Sequence, residues 1–299
     1  MKDNRIVLVT GATGRQGGAV ARELLARRFH VRAMTRKPDS EQAEALAELG
    51  ADIVQGDFDD VESLVRAAEG AWGAFSVQNT WEVGVEKEEE QGKQFAEVCK
   101  RAGVSHFVYS SVASADRHTG IPHFDNKWRI EEKVRQLGFP THTILRPVFF
   151  MENFLSPWLR LGLEEGRLTL SIKPTTVLQM IAVTDIGRYG AWAFESHRKL
   201  NGRAIDIAGD ERTMPDAAKV IGIAAEREIE FDPTPIDEVR KFSEDMATML
   251  EWFDAVGYDV DIGALSRESG IRPIALAEWV SEVDWYKHIG HLAASTHHD

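Results

Sequence analysis

The stretch VTGATGRQGGAV, residues 9–20, decides the fold of this chain. It follows a short β-branched run, RIVLVT (5–10), and opens an amphipathic segment over 15–28. Glycines 11, 14 and 17 stand three apart. A glycine-rich turn between a first strand and a first helix is where a doubly wound α/β sheet holds a dinucleotide pyrophosphate. Gly11 suits the tight turn, Gly14 the close approach of backbone to pyrophosphate, and Gly17 the packing of helix on strand. The helix start adds N–H groups and the positive end of its dipole. Thr13 and Arg15 can add a hydroxyl and a charge, and Gln16 is counted with them as a cofactor contact. The bland alternative is a plain strand–helix turn. Position at the head of a βαβ pattern argues against it.

Outward from this loop, HVRAMT (30–35), ADIVQ (51–55), WGAFSV (72–77), HFVYSS (106–111) and HTILRP (142–147) read as further strands. Helical patterns separate them at 41–49, 60–69, 85–102 and 124–138. Such alternation predicts an α/β protein with a Rossmann-type, doubly wound parallel sheet, its ligands at the C-terminal edge of the strands. This domain is expected over 1–150, with 178–210 returning to it. Residues 151–177 and 211–299 are expected to form a smaller, mostly helical lobe for substrate or partner, folded over the binding edge. Trp252, Trp279 and Trp285 lie in that lobe.

Composition narrows the function. The chain has 299 residues and a formal charge of -13, which disfavours direct contact with nucleic acid. The single cysteine, Cys99, fits a reducing compartment, and no apolar run reaches the roughly 18 residues of a membrane span. The expectation is a cytoplasmic protein with no membrane segment and a possible homodimer contact on the C-terminal lobe. The acidic run EKEEE (86–90) reads as a solvated helix start. His288, His291, His297 and His298 lack a metal-ligand spacing, and no metal is expected. Asp185 reads as a structural helix-start residue.

At the end of the second strand an NAD site usually carries an acid for the ribose 2′-hydroxyl. Here the residues are Thr35, Arg36 and Lys37. Arg36 can take a 2′-phosphate in a forked contact, and Lys37 adds charge. NADP(H) is therefore expected, unless the pair is merely an exposed basic turn.

The stretches VTGATGRQGGAV, RAMTRKP, VQGDFDD, HFDNKWRIEE and LRPVFFMENF together resemble the NmrA-like branch of the short-chain dehydrogenase superfamily. Isoflavone-reductase-like enzymes and an NmrA-like redox sensor belong to that branch. The resemblance implies that Asp57, with Phe58 beside it, meets the adenine. It places Ser110 where the superfamily keeps its serine. It also puts Pro147, Phe149, Phe150 and Asn153 at the border of nicotinamide and substrate. Gln78 and Trp81, after the fourth strand, fall at the same edge as a cofactor and a substrate contact.

The superfamily's usual acid is a tyrosine four residues before a lysine. Lys127 is present, but His123 stands in the tyrosine's place. Lys127, Ile130, Val134 and Leu137 share one helix face, so Lys127 heads a buried stripe and needs a partner. A ribose hydroxyl and carbonyls would serve, or the lysine snorkels to water. His123 is either a proton donor near neutral pH or an ordinary loop histidine. Two functions follow. One is an NADPH-dependent reductase of a small apolar acceptor such as a quinone, aldehyde or enone. The other is an NADP(H) redox sensor acting on a regulatory protein partner.

Overall fold

The computed structural model describes residues 5–289. Its strands are β1 (Ile6–Val9), β2 (His30–Thr35), β3 (Asp52–Gln55), β4 (Gly73–Ser76), β5 (His106–Ser110), β6 (Thr141–Pro147), β7 (Phe149–Phe150), β8 (Arg167–Leu168), β9 (Val177–Ile181), β10 (Arg203–Ile207), β11 (Asp210–Thr213) and β12 (Glu230–Phe231). The helices that matter below are α1 (Arg15–Ala26), α2 (Glu41–Glu48), α3 (Val61–Ala68), α4 (Thr80–Val83), α5 (Val85–Arg101) and α6 (Pro122–Leu137). After them come α7 (Pro157–Glu164), α8 (Val183–Glu195) and α9 (Met214–Ala224).

A seven-stranded parallel sheet runs in the order β10-β6-β5-β4-β1-β2-β3. This is a Rossmann-type α/β sheet. Every residue of β4 and β5 is buried, as central strands covered on both faces require. The edge strand β3 is partly exposed and less apolar. Local chemistry fixes the helix starts: the Ser40 side chain accepts from Ala43 N–H ahead of α2, and Asp60 accepts from Ser63 N–H ahead of α3. Chain order reverses between β1 and β4, the switch point at which such sheets open a crevice.

The chain divides into two compact units. The first holds residues up to Pro147, with Val183–Ile207 and Ala264–Ile271. The stretch 178–210, expected to return to it, does so only over Val183–Ile207; β9 and the residues from Ala208 lie in the second unit. There β9 pairs with β7 and, antiparallel, with β11 in a three-stranded sheet. The short segment 264–271 joins the first unit, where Glu268 takes Arg203 of β10 in a two-pronged ion pair. Asp185 is fully buried near the start of α8 and pairs with Arg188 at 2.9 Å. The core of the second unit gathers Phe149, Phe154, Leu178, Met180, Met214, Trp279 and Trp285, with Trp252 packed against it. The indole N–H groups of Trp279 and Trp285 donate to Glu152 Oε1 and to the Val280 carbonyl. No helix among the described residues is long and apolar enough to cross a membrane.

One buried ionic cluster ties β6, β10 and α6 together. Arg146 donates to both carboxylate oxygens of Glu131, at 2.8 and 2.7 Å, and reaches Asp116 at 2.9 Å and Asp206 at 3.6 Å. Burial, helped by the charges of Asp116 and Glu131, pushes the Asp206 carboxyl up to about 6 despite Arg146. Its ordinary value is 3.8. An acid raised on folding makes the anion costly at neutral pH, and that cost is relieved as pH falls through the folded value. Asp206→Asn is therefore expected to stabilise the protein at pH 7.5 by about 1–3 kcal/mol, a melting-temperature rise of a few degrees, with the gain shrinking at pH 5. Thermal melts of both proteins at the two pH values check this.

Candidate functional site

The glycine loop is pinned from below. Thr10 N–H donates to the Phe75 carbonyl, and Val77 N–H donates to Thr10 Oγ1 at 2.9 Å, fastening the end of β1 to the end of β4. The chain then turns at Gly11, whose φ of +58° lies in the left-handed region. Gly14 N–H closes the turn on the Gly11 carbonyl at 2.9 Å. A Cβ on Gly17 would stand 2.3 Å from the Thr10 carbonyl oxygen and 2.4 Å from that of Gly11. Helix α1 can sit this close to the strand end only because residue 17 has no side chain. Its first N–H groups, from Arg15 onward, have no acceptor within the helix and point out of its N-terminus. Gly14 and Arg15 are exposed there.

Neighbouring strand ends complete the cradle. Thr13 Oγ1 lies 3.2 Å from Thr35 Oγ1 at the end of β2. Ser110 Oγ, at the end of β5, donates to Gln16 Oε1 at 2.7 Å. Gln78 is buried beyond β4; its Nε2 donates to Ser76 Oγ, while its Oε1 has no hydrogen-bond partner. Ser111 Oγ is likewise buried without a partner. Unpartnered buried polar atoms beside a side-chain-free turn fit a polar ligand lying across the switch point. Pro147 ends β6, and its carbonyl accepts Ala113 N–H at 3.0 Å.

Arg36 and Lys37 are both exposed past β2. Arg36 Nη2 contacts Glu82 Oε1 at 2.5 Å, and Lys37 N–H donates to Thr35 Oγ1. Asp57 is half-buried and engaged in its own turn, with Oδ1 accepting Asp59 N–H at 3.0 Å. The Phe58 ring packs edge-on against Phe95, with centroids 5.7 Å apart, so it serves the core below the edge.

Lys127 has a partner the sequence reading missed. Its Nζ meets Glu88 Oε1 at 2.5 Å. Glu88 was expected in a solvated acidic run, yet its side chain is 0% exposed, and that of Lys127 only 13%. The other carboxylate oxygen of Glu88 accepts from Asn126 Nδ2 at 2.9 Å and from the Thr80 hydroxyl. Burial alone would raise the Glu88 carboxyl. The Lys127 charge, with hydrogen bonds from Lys127, Thr80 and Asn126, outweighs it and holds Glu88 below the ordinary range. The phase of α5 explains the burial: Glu88 shares an inner face with Gly92, Phe95, Ala96 and Cys99. A Cβ on Gly92 would lie 2.7 Å from Ile130 Cδ1, so α5 and α6 approach closely and bring the heads of their buried stripes together. The snorkelling alternative for Lys127 does not hold.

His123 is 7% exposed in the first turn of α6, with its ring 4.9 Å from Phe124 and 5.2 Å from Trp81. Trp81, in α4, is 60% exposed. The Tyr109 hydroxyl is sealed in the core, where burial and the charges of Glu88, Glu131 and Glu89 push it well above its ordinary range, so it does not replace the absent tyrosine acid. Phe149, Phe150 and Asn153 fall in the second unit. Phe149 is a core residue there, edge-on to Phe154 at 5.9 Å; Phe150 is half-buried, and the Asn153 carbonyl accepts from Ser156 Oγ. His288 lies in a short C-terminal helix, while His291, His297 and His298 lie outside the described residues.

The parallel sheet, the glycine turn and the open polar edge define a Rossmann-type protein of the dinucleotide-binding class. The chain belongs to the NmrA-like family, whose model matches residues 3–284. It is 41% identical over 164 residues to the NmrA-like family domain-containing oxidoreductase malD of Malbranchea aurantiaca, covering 51% of this chain and 49% of that protein. The chain thus spans about half the length of that relative and of several like it. An NmrA-like family domain-containing protein of Dictyostelium discoideum is 27% identical over 266 residues, covering 84% of this chain and 88% of its own. The fold is shared with NmrA, a negative transcriptional regulator in complex with NADP, at TM-score 0.77 and 21% identity, covering 95% of this chain and 97% of that one. It is also shared with the NADPH-dependent quinone oxidoreductase QOR2 of Escherichia coli, in complex with NADPH, at TM-score 0.77 and 24% identity, covering 92% and 98%.

Proposed function

We propose that this chain is an NADPH-dependent reductase of a small apolar acceptor, a quinone or enone. The cradle carries the proposal: Gly17 packed on two carbonyls, with Gly11 turned left-handed at the switch point. Arg36 supports the choice of NADP(H), and relatives that bear the name oxidoreductase support hydride chemistry. Bound NADPH would supply the hydride. The protein's own part is binding and orientation. The N–H groups at the start of α1 would hold its phosphate, and Gln78 and Ser111 offer unpartnered polar atoms at the edge. Lys127 is already engaged by Glu88, and among the described residues no acid is placed beside it as the superfamily's tyrosine would be. An acceptor that takes its proton from water suits such a site. A quinone accepts hydride as a quinolate, and water protonates the oxygen.

The test is NADPH consumption across quinones, enones and aldehydes, with turnover expected on a quinone or enone. Tight NADPH binding with no turnover on any acceptor would instead favour a non-catalytic sensor acting on a protein partner. The absent tyrosine is the observation on that side. His123→Phe decides the proton source. If water supplies the proton, the rate with quinone falls less than about fivefold; loss of a general acid costs about 10²-fold or more.

A further inference from the structure

We propose that Glu82 sets the cofactor preference of this chain by competing with the ribose 2′-phosphate for Arg36. The inference rests on Arg36 being the 2′-phosphate contact. Arg36 Nη2 meets Glu82 Oε1 at 2.5 Å, with both side chains about half exposed. Glu82 is held in place by its helix. The Asn79 side chain accepts from Trp81 N–H at the start of α4, and Gly84 N–H closes its end on the Thr80 carbonyl at 2.8 Å. The Thr80 hydroxyl is bonded to buried Glu88, and the Trp81 ring rests on His123. Helix α4 therefore fixes a carboxylate beside the guanidinium that would receive the phosphate.

Asp59 lies within electrostatic reach of Arg36. The nearby Lys87 is engaged by Asp59 at 3.1 Å and Glu90 at 3.2 Å. Lys37, next to Arg36 on the same turn, is also exposed. An incoming 2′-phosphate must take Arg36 from Glu82 or share it and face a like charge close by. A ribose 2′-hydroxyl meets neither cost. Discrimination for NADP(H) is then smaller than an uncontested arginine would give.

The experiment is calorimetric titration of NADPH and of NADH into wild type, Glu82→Gln, Arg36→Ala and the double variant. Exposed pairs and their screened repulsion are modest, so Glu82→Gln is expected to bind NADPH about fivefold more tightly, with NADH unchanged within about twofold. The gain should fade at about 0.5 M salt. Most of it should also vanish when Arg36 is alanine, leaving only the screened repulsion between Glu82 and the phosphate. NADPH affinity unchanged in Glu82→Gln, or NADH shifting equally, overturns the proposal. If Arg36→Ala keeps the wild-type preference, the Arg36 reading itself fails. If Arg36→Ala erases the preference while Glu82→Gln leaves it untouched, the role of Glu82 alone falls.

Discussion

Gly17→Ala is expected to lower NADPH affinity at least tenfold and to reduce the melting temperature by about 5–10 °C. The new methyl would lie 2.3 Å from the Thr10 carbonyl oxygen and 2.4 Å from that of Gly11. Alanine has no rotamer to relieve the contact, and both obstacles are backbone. Thr10 cannot yield easily, because its N–H is bonded to Phe75 and its hydroxyl takes Val77 N–H. The helix must move off the strand, at about 2–4 kcal/mol, and its N–H groups move with it. Gly14→Ala is the control, since its Cβ would meet only the Gly11 carbonyl at 3.2 Å. That variant should fold nearly as well as wild type. Calorimetry and thermal melts measure both. A Gly17→Ala protein that binds NADPH like wild type would remove the loop from the site.

The second large effect belongs to Glu88. Glu88→Ala leaves the Lys127 ammonium buried without its carboxylate, and strips an acceptor from Thr80 and Asn126. Removing one partner of a buried pair costs about 3–5 kcal/mol. Glu88→Gln combined with Lys127→Met removes both charges and should recover part of the loss relative to either single variant. Urea denaturation of all four proteins gives the coupling. The pH dependence has a definite sign. Glu88 is held below its ordinary 4.5, so its contribution is fully present above that value and is lost as pH falls through the folded one. The stability gap between wild type and Glu88→Gln should be flat near neutrality and close below about pH 4.5. A gap independent of pH down to 3 would show that folding leaves the Glu88 ionisation unchanged, contrary to a carboxyl held low by Lys127.

The first domain was legible because its elements carry two distinct periods. Runs such as HFVYSS and stripes such as Lys127, Ile130 and Val134 announce buried strands and one-sided helices without help from distant residues. Strand β9 was less legible, because LQMIAV reads as a strand while its sheet depends on pairing with β7 and β11 elsewhere in the chain. The cradle could be read from position: strand, glycines, helix. Glu88 could not be read from composition, since EKEEE is as acidic as any solvated helix start. Its phase against Gly92, Phe95 and Cys99 was the available signal, and the same reasoning that found Lys127 would have found its partner. Glu82 left no local sign. Its contact with Arg36 joins α4 to the turn after β2, far apart in sequence, and only the folded sheet edge brings them together.

A single-turnover measurement tests the proposed reductase most directly. Protein saturated with NADPH is mixed rapidly with a quinone while the reduced nicotinamide absorbance is followed. The expected result is complete decay in one turnover, at a rate that saturates with quinone, with one quinol formed per NADPH, and with a smaller amplitude in Gly17→Ala at the same sub-saturating NADPH concentration. Bound NADPH whose absorbance persists at every quinone and enone concentration would contradict catalysis at this site.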